Sequence, residues 1–225
     1  MSKTVLIAGA SRGIGLEFAV QYAAEDWHVI AGCRAPEQAK GWAPANVDLQ
    51  TLDVTDVNSV AALSWHFDDA PLDLLIVNAG VFGPDTGSFA APGDDTFDAV
   101  MHTNVLGPMR LIQAFGSCVA RAGGVIAVMS SKMGSITETS GTDALAYRCS
   151  KAAANMLVKV AANELGPQGA TVISLHPGWV RTDMGGPNAA ISVSESVEGL
   201  RKVIDDLSAD DNGCFLDYTG RKLSW

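Results

Sequence analysis

Long apolar runs are missing from this chain: nothing in it approaches the roughly 18 consecutive apolar residues that a membrane span needs. Basic residues are scarce. Fifteen Lys and Arg stand against 25 Asp and Glu, a formal net charge of −10, which disfavours nucleic acid and anionic membrane surfaces as partners, since both reward clustered cations. Only four cysteines are present, Cys33, Cys118, Cys149 and Cys214, with no Cys-x-x-Cys pair and no metal-ligand spacing. They read as reduced, mostly buried thiols of a cytoplasmic protein, with no metal site. The histidines, His28, His66, His102 and His176, show neither triad nor metal spacing and read as structural. Internal repeats, low-complexity tracts and linkers are also lacking.

What is present is a globular composition, with 48% hydrophobic and 18% charged residues in 225. That length fits a single domain spanning 1–225 with a substantial core. The opening MSKTVLIAGA has the look of a short signal sequence, but its apolar run leads straight into SRGIG without a small-residue cleavage site, so a buried first strand is the better reading. Similar short runs follow: HVIAGC, DLQTLDV, LDLLIVN, GVIAVMS and TVISLH, each bounded by turn formers. Helical spacing lies between them at 14–25, 56–67, 95–120, 146–165 and 193–208. Doubly buried strands alternating with helices predict an α/β fold, a doubly wound parallel sheet of Rossmann type with helices on both faces. Two loops rich in turn formers, 84–96 and 178–190, fall where ligands bind in such sheets.

After the first strand comes Gly9-Ala10-Ser11-Arg12-Gly13-Ile14-Gly15, opening a helix. Glycines there let the turn take positive φ and let a pyrophosphate approach main chain and helix N-terminus. The spacing is Gly-x-x-x-Gly-x-Gly, which differs from the commoner dinucleotide fingerprint, and a ligand-free turn can look the same. The second strand ends Gly32-Cys33-Arg34 with no carboxylate to take a ribose 2′-hydroxyl. Arg34 and Arg12 together favour a 2′-phosphate, hence NADP(H), although Arg34 could simply solvate a strand end. Asp53, followed by Val54, either caps the next helix or reaches an adenine amino group. Asn78-Ala79-Gly80 ends the fourth strand with small residues that let main chain pass close to a ribose, as a plain turn would also do.

Tyr147 and Lys151 stand four apart in AYRCSKAAANML, so on a helix they share a face, with Cβ atoms about 5–6 Å apart. An ammonium beside a phenol is expected to stabilise the phenolate and lower its pKa from about 10, tuning it for proton transfer near neutral pH. Taken alone the pair is a weak signal.

Together these residues resemble the short-chain dehydrogenases/reductases. Gly9-(x)3-Gly13-x-Gly15, Asn78-Ala79-Gly80, Asn104, Ser130-Ser131, Tyr147-(x)3-Lys151 and Pro177-Gly178-(x)3-Thr182 occur in that family's order across essentially the whole chain. MSSKMGSI…YRCSKAAANM and the C-terminal FLDYTGRKLSW look more narrowly like its C-factor and sniffer branch. The resemblance implies that Tyr147 donates the proton to a carbonyl oxygen, that Lys151 lowers its pKa and binds the nicotinamide ribose, and that Ser131 hydrogen-bonds the substrate oxygen. It implies that Asn104 interrupts its helix and holds a water linked to Lys151. It places Ser11, Ile14, Val54, Val180 and Thr182 on the cofactor, Thr182 at the carboxamide. Ser131 and Tyr147 are sixteen apart, longer than is usual in the family, which leaves Ser130, Ser131 and Ser135 as rivals for the substrate oxygen. Strand alternation sends Ser130 and Ser131 to opposite faces, and Ser131 is the choice.

Phe82, Met133, Ile136, Trp179 and Met184 lie in loops expected beyond strand ends and would wall an apolar substrate pocket. The short loop after Thr182 implies an open mouth suited to varied aldehydes and ketones. The expected function is NADP(H)-dependent carbonyl reduction or alcohol oxidation, with Tyr147 as acid or base. A cofactor-binding signalling protein with little turnover is the alternative. Family members often pair through helices here placed near 95–120 and 146–165, so a homodimer or homotetramer is compatible.

Overall fold

The computed structural model of the protein describes residues 2–225 apart from 40, 42, 45, 66, 68, 69, 85, 86 and 88. The apolar runs form β1 (Thr4–Ala8), β2 (His28–Cys33), β3 (Val47–Thr51), β4 (Leu74–Val77), β5 (Val125–Met129) and β6 (Thr171–His176). With β7 (Phe215–Asp217) they make one seven-stranded sheet in the order β3-β2-β1-β4-β5-β6-β7. Every neighbouring pair is parallel, the Rossmann-type doubly wound arrangement. The helices are α1 (Gly13–Ala23), α2 (Pro36–Ala39), α3 (Val57–Trp65), α4 (Asp94–Met101), α5 (Gly107–Ala122), α6 (Leu145–Leu165) and α7 (Val193–Asp205).

Apart from the edge strands β3, whose residues are half-buried or exposed, and β7, the strands read as unbroken apolar runs because both sheet faces are covered. Leu6 and Ala8 point into the layer shared with Leu63 of α3, Leu111 and Phe115 of α5 and Val158 of α6. Val5 and Ile7, on the opposite face, pack with Phe18 and Tyr22 of α1 and Val197 and Leu200 of α7. Helix α7 starts where Ser192 accepts a hydrogen bond from the Glu195 amide at 3.1 Å, a side-chain cap on the first turn.

One feature follows the sequence expectation and one departs from it. The helix read over 95–120 is interrupted around Asn104, as the resemblance implied, by a π turn at His102–Leu106 in which the Gly107 amide bonds His102 oxygen five residues back. Strand β7 was not anticipated. It is three residues long, all buried, and is held by a reversal in which Asp217 N bonds Arg221 O at 2.9 Å and Leu223 N bonds Phe215 O at 2.8 Å. Met1, His66 and parts of the 84–96 loop lie outside the described residues. Among the described residues no helix is long and apolar enough to cross a membrane, and no group of His, Cys, Asp or Glu could hold a metal ion. All four cysteines are free, Cys33 and Cys118 buried, Cys149 exposed and Cys214 half-buried.

Candidate active site

Strand order reverses between β1 and β4, and at their carboxyl ends the sheet opens into a cleft of about 520 Å³. Gly9, Ser11, Arg12, Gly13 and Ile14 line it on one side, with Arg34, Asp53 and Val54 from the ends of β2 and β3. Asn78, Ala79, Gly80, Tyr147, Lys151, Pro177, Thr182 and Met184 complete the wall.

The turn is built by close main-chain approach. Gly9 has φ +93°, and a Cβ there would lie 2.8 Å from Ala79 Cα. Asn78 Nδ2 donates to Gly9 O at 2.8 Å, and a Cβ on Gly15 would strike both groups. Helix α1 therefore starts at the cleft, with no side-chain cap and no acidic residue in its first turn. Its free N–H groups and dipole suit an anion. Gly178 and Val180 sit behind the wall: Gly178 lies against Ile191 and Tyr218, and buried Val180 bridges to Ile191.

Arg12 Nη1 meets Asp183 Oδ2 at 2.7 Å, both side chains largely exposed, so this pair joins the glycine turn to the loop after β6. Arg34 is exposed at the far end of the cleft. Asp53 accepts from Thr55 N at 2.9 Å and Thr55 Oγ1 at 2.7 Å. The Thr55 hydroxyl bond, aided by the charges of Arg34 and Arg110, holds its carboxyl below the ordinary range.

Tyr147 and Lys151 face the cleft from the first turns of α6. Tyr147 is 7% exposed, and its ring packs on Phe82 with centroids 4.7 Å apart. Burial pushes its phenol up to about 12, against a downward pull from a hydrogen bond with Ser131. Lys151 is buried, and desolvation pushes its ammonium down to about 8. Its Nζ donates to Met129 O at 2.8 Å and lies 5.6 Å from the Tyr147 ring centroid. The acidification expected of Lys151 is thus absent from the protein groups alone: the ammonium is tied to a carbonyl, and burial dominates the phenol.

Asn104 lies in the π turn and is almost fully buried. Its Oδ1 accepts from Val81 N at 2.9 Å, while Nδ2 donates to Val81 O at 2.8 Å and Ser150 Oγ at 2.9 Å. Both amide hydrogens are committed, so the side chain fastens the loop after β4 to α6. A Cβ on Gly80 would lie 3.3 Å from Asn104 Oδ1 and 3.5 Å from Lys151 Nζ, which places the three groups around one point.

The three serines have different partners, and of them Ser130 lines the cleft. Ser130 Oγ turns inward and donates to Asn155 Oδ1 at 2.6 Å. Ser131 Oγ accepts from Met133 N at 3.2 Å, and its hydroxyl lies close enough to Tyr147 to pull the phenol downward. Ser135 is fully buried, donating to Ser224 O at 2.7 Å, and faces the C-terminal segment. Of the expected substrate wall, Met184 lines the cleft. Phe82 packs on Tyr147, Trp179 donates to Gly185 O at 2.8 Å, Ile136 is 80% exposed and Met133 is half-buried in the 3-10 turn after Ser131. His176, read as structural, is half-buried, its buried Nδ1 has no hydrogen-bond partner, and desolvation pushes it down to about 4. Sequence reading passed over Val81, Thr103 and Asp183, which also line the cleft. Neighbours of Asn78-Ala79-Gly80, Asn104 and Thr182 respectively, they carry no residue-type signature beyond that adjacency.

The family model for short chain dehydrogenases matches residues 3–191. The chain is 41% identical over 160 residues to the C-signal of Myxococcus xanthus, covering 69% of this chain and 93% of that protein. The NADPH-bound carbonyl reductase from chicken fatty liver superposes with a TM-score of 0.91 at 33% identity, covering all of this chain and 94% of that one. The carbonyl reductase Sniffer of D. melanogaster superposes with a TM-score of 0.91 at 29% identity, with both chains covered completely. By sequence match, sheet order and site layout alike, the chain belongs to the short-chain dehydrogenase/reductase family of oxidoreductases.

Proposed function

We propose that the chain is an NADP(H)-dependent carbonyl reductase, with Tyr147 as the group that exchanges a proton with the substrate oxygen. The observation that carries this reading is that Tyr147 and Lys151 line an open, glycine-floored cleft while the Ser131 hydroxyl lies close enough to Tyr147 to pull its phenol downward.

The residues present fit a dinucleotide. The uncapped first turn of α1 offers N–H groups to a pyrophosphate, and the absence of side chains at Gly9 and Gly13 leaves room for it. Arg34 and Arg12 supply guanidinium groups for a 2′-phosphate, and the chicken carbonyl reductase carries NADPH. Thr182 stands at the cleft near Met184, with its Oγ1 accepting from Gly185 N at 3.1 Å, and is assigned to the carboxamide. The bound nicotinamide supplies hydride chemistry.

The chain's own groups supply position and charge. Ser131 and Tyr147 present adjacent hydroxyls to a carbonyl oxygen, so charge developing there meets two donors in a desolvated setting. Tyr147 then transfers its proton as the carbon–oxygen bond becomes single. Lys151, close beneath, favours the phenolate that remains and can reach ribose hydroxyls from its place at the cleft. Asn104 keeps the loop after β4 in register with α6. A phenol held at about 12 is a poor acid near neutrality, so Tyr147 depends on the Lys151 ammonium 5.6 Å from its ring centroid and on further positive charge brought into the cleft.

Likeness to the C-signal favours a second reading, in which the fold binds cofactor chiefly for signalling. Purified protein with NADPH and a panel of aldehydes, ketones and quinones separates the two, followed at the reduced-nicotinamide absorbance. Turnover that Tyr147→Phe abolishes supports the reductase. Bound cofactor with no turnover on any carbonyl supports signalling.

A further inference from the structure

We propose that Asn155 is a positioning residue that holds the serine-bearing end of β5 against the helix carrying Tyr147 and Lys151. The proposal deepens the reductase reading and rests on its assignment of Ser131.

Tyr147, Lys151 and Asn155 follow one another at four-residue intervals on α6, so they form one stripe facing the sheet. All three are buried. The Asn155 amide makes two contacts: its Oδ1 accepts from Ser130 Oγ at 2.6 Å, and its Nδ2 donates to Gly134 O at 3.4 Å. Ser130 and Gly134 are the residues on either side of Ser131-Lys132-Met133. One side chain therefore grips both ends of the segment that presents Ser131.

Two further contacts make the seat rigid. Lys151 Nζ bonds Met129 O at 2.8 Å, just before the gripped segment. At Gly134 the chain lies directly on the helix: a Cβ there would stand 2.7 Å from both the carbonyl carbon and the Cβ of Lys151. From Met129 to Gly134 the strand end is thus fastened to α6 at successive turns. Ser131, with extended backbone at φ −152° and its Oγ accepting from Met133 N, is left with its hydroxyl close enough to Tyr147 to pull the phenol downward. The separation of the two hydroxyls follows from this seat.

An amide suits the position because it offers an acceptor to a hydroxyl and a donor to a carbonyl at once. Leu would remove both and leave the buried Ser130 hydroxyl without a partner, destabilising the protein whatever happens to catalysis. The test must separate those effects. Steady-state carbonyl reduction and thermal melts are measured for Asn155→Leu, Ser131→Ala, their combination, and the repaired pair Ser130→Ala with Asn155→Leu.

Asn155→Leu is expected to lower kcat by at least about tenfold, because misplacing a reacting group by an ångström can cost on the order of a hundredfold, with KM for NADPH unchanged. On the Ser131→Ala background the same substitution should change kcat by less than about twofold, since Asn155 acts through that serine. The repaired pair should recover the melting temperature and leave kcat low. Recovery of kcat together with the melting temperature would overturn the proposal, as would an undiminished loss in the Ser131→Ala background. If Asn155→Leu does not fold, the repaired pair is compared with Ser130→Ala alone, and equal kcat overturns the proposal. Ser131→Ala at full rate removes the serine assignment itself, whereas a slow Ser131→Ala with additive Asn155→Leu sinks only the role of Asn155.

Discussion

The two walls of the cleft are made differently. On the β1–α1 side the turn is made of main chain: Gly9 and Gly15 press against Ala79 and Asn78, and the first turn of α1 is left uncapped. On the β5–α6 side the working groups are polar side chains taken out of water. Asn104, Ser130, Ser131, Lys151 and Asn155 are all buried, and all but Ser131 hydrogen-bond to a strand, loop or helix beyond their own. An open floor of main chain suits a ligand recognised by its phosphates. A closed wall of side chains suits proton transfer, where small displacements and local charge set the rate. The first wall is damaged by adding atoms, the second by removing them.

Tyr147→Phe takes one oxygen from the buried wall and should have the largest effect. A loss in kcat of about 10²–10⁴-fold is expected from removing general acid–base catalysis, with the melting temperature little changed because the ring contact with Phe82 remains. Retained turnover would mean that the wall does not do the chemistry.

Gly9→Ala adds one carbon to the open wall. Its positive φ and the 2.8 Å approach to Ala79 predict a loss of roughly 1–3 kcal/mol in stability from overpacking, with loss of NADPH binding. Melts and a cofactor fluorescence titration check both, and a variant that binds normally would show the turn to be more yielding than its contacts imply.

Arg34→Ala removes charge from the same wall without crowding it. NADPH binding should weaken by about ten- to a hundredfold, as for loss of a charge-assisted hydrogen bond, with NADH binding unmoved. Equal effects on the two cofactors would take the 2′-phosphate away from Arg34.

Lys151→Met tests the cost of burial. Below pH 8 the lysine is charged in both folded and unfolded chains and its desolvation weighs on the fold. Between about 8 and 10.5 the folded chain has shed a proton that the unfolded chain keeps, so wild-type stability should rise with pH through that window. Denaturant titrations of cofactor-free protein across this range should show that rise in wild type and not in Lys151→Met. Parallel curves would mean that the ammonium is better solvated than its position implies.

The smallest effect is expected at Ala144, which enters α6 with φ +50°. Ala144→Gly relieves a left-handed conformation at some cost in unfolded-chain entropy, so thermal melts should show a gain of at most about 1 kcal/mol. A clear loss would mean that this entry to α6 is held by the Ala144 methyl group.

The same contrast governs how much of the molecule could be read in advance. Strands β1, β2, β4, β5 and β6 were legible because burial on both faces writes a continuous apolar run. The glycine turn was legible because close backbone approach admits almost no other residue, and Tyr147 and Lys151 because helical spacing aligns them. Strand β7 was not, since three residues carry no period and its pairing with β6 depends on residues some forty positions earlier. The partners of Asn104, the inward turn of Ser130 and the pairing of Arg12 with Asp183 across 171 residues were illegible for a related reason. Hydrogen bonds between distant segments leave no local pattern.

By itself, then, the amino-acid order determined the alternation of strands and helices, the glycine turn and the stripe of Tyr147 and Lys151, all set by neighbours within a few residues. Only the folded chain decided which serine faces the phenol, what Asn104 grips, and that burial moves Tyr147 up and Lys151 down. Those outcomes depend on which groups long-range packing removes from water and which partners it then brings within reach.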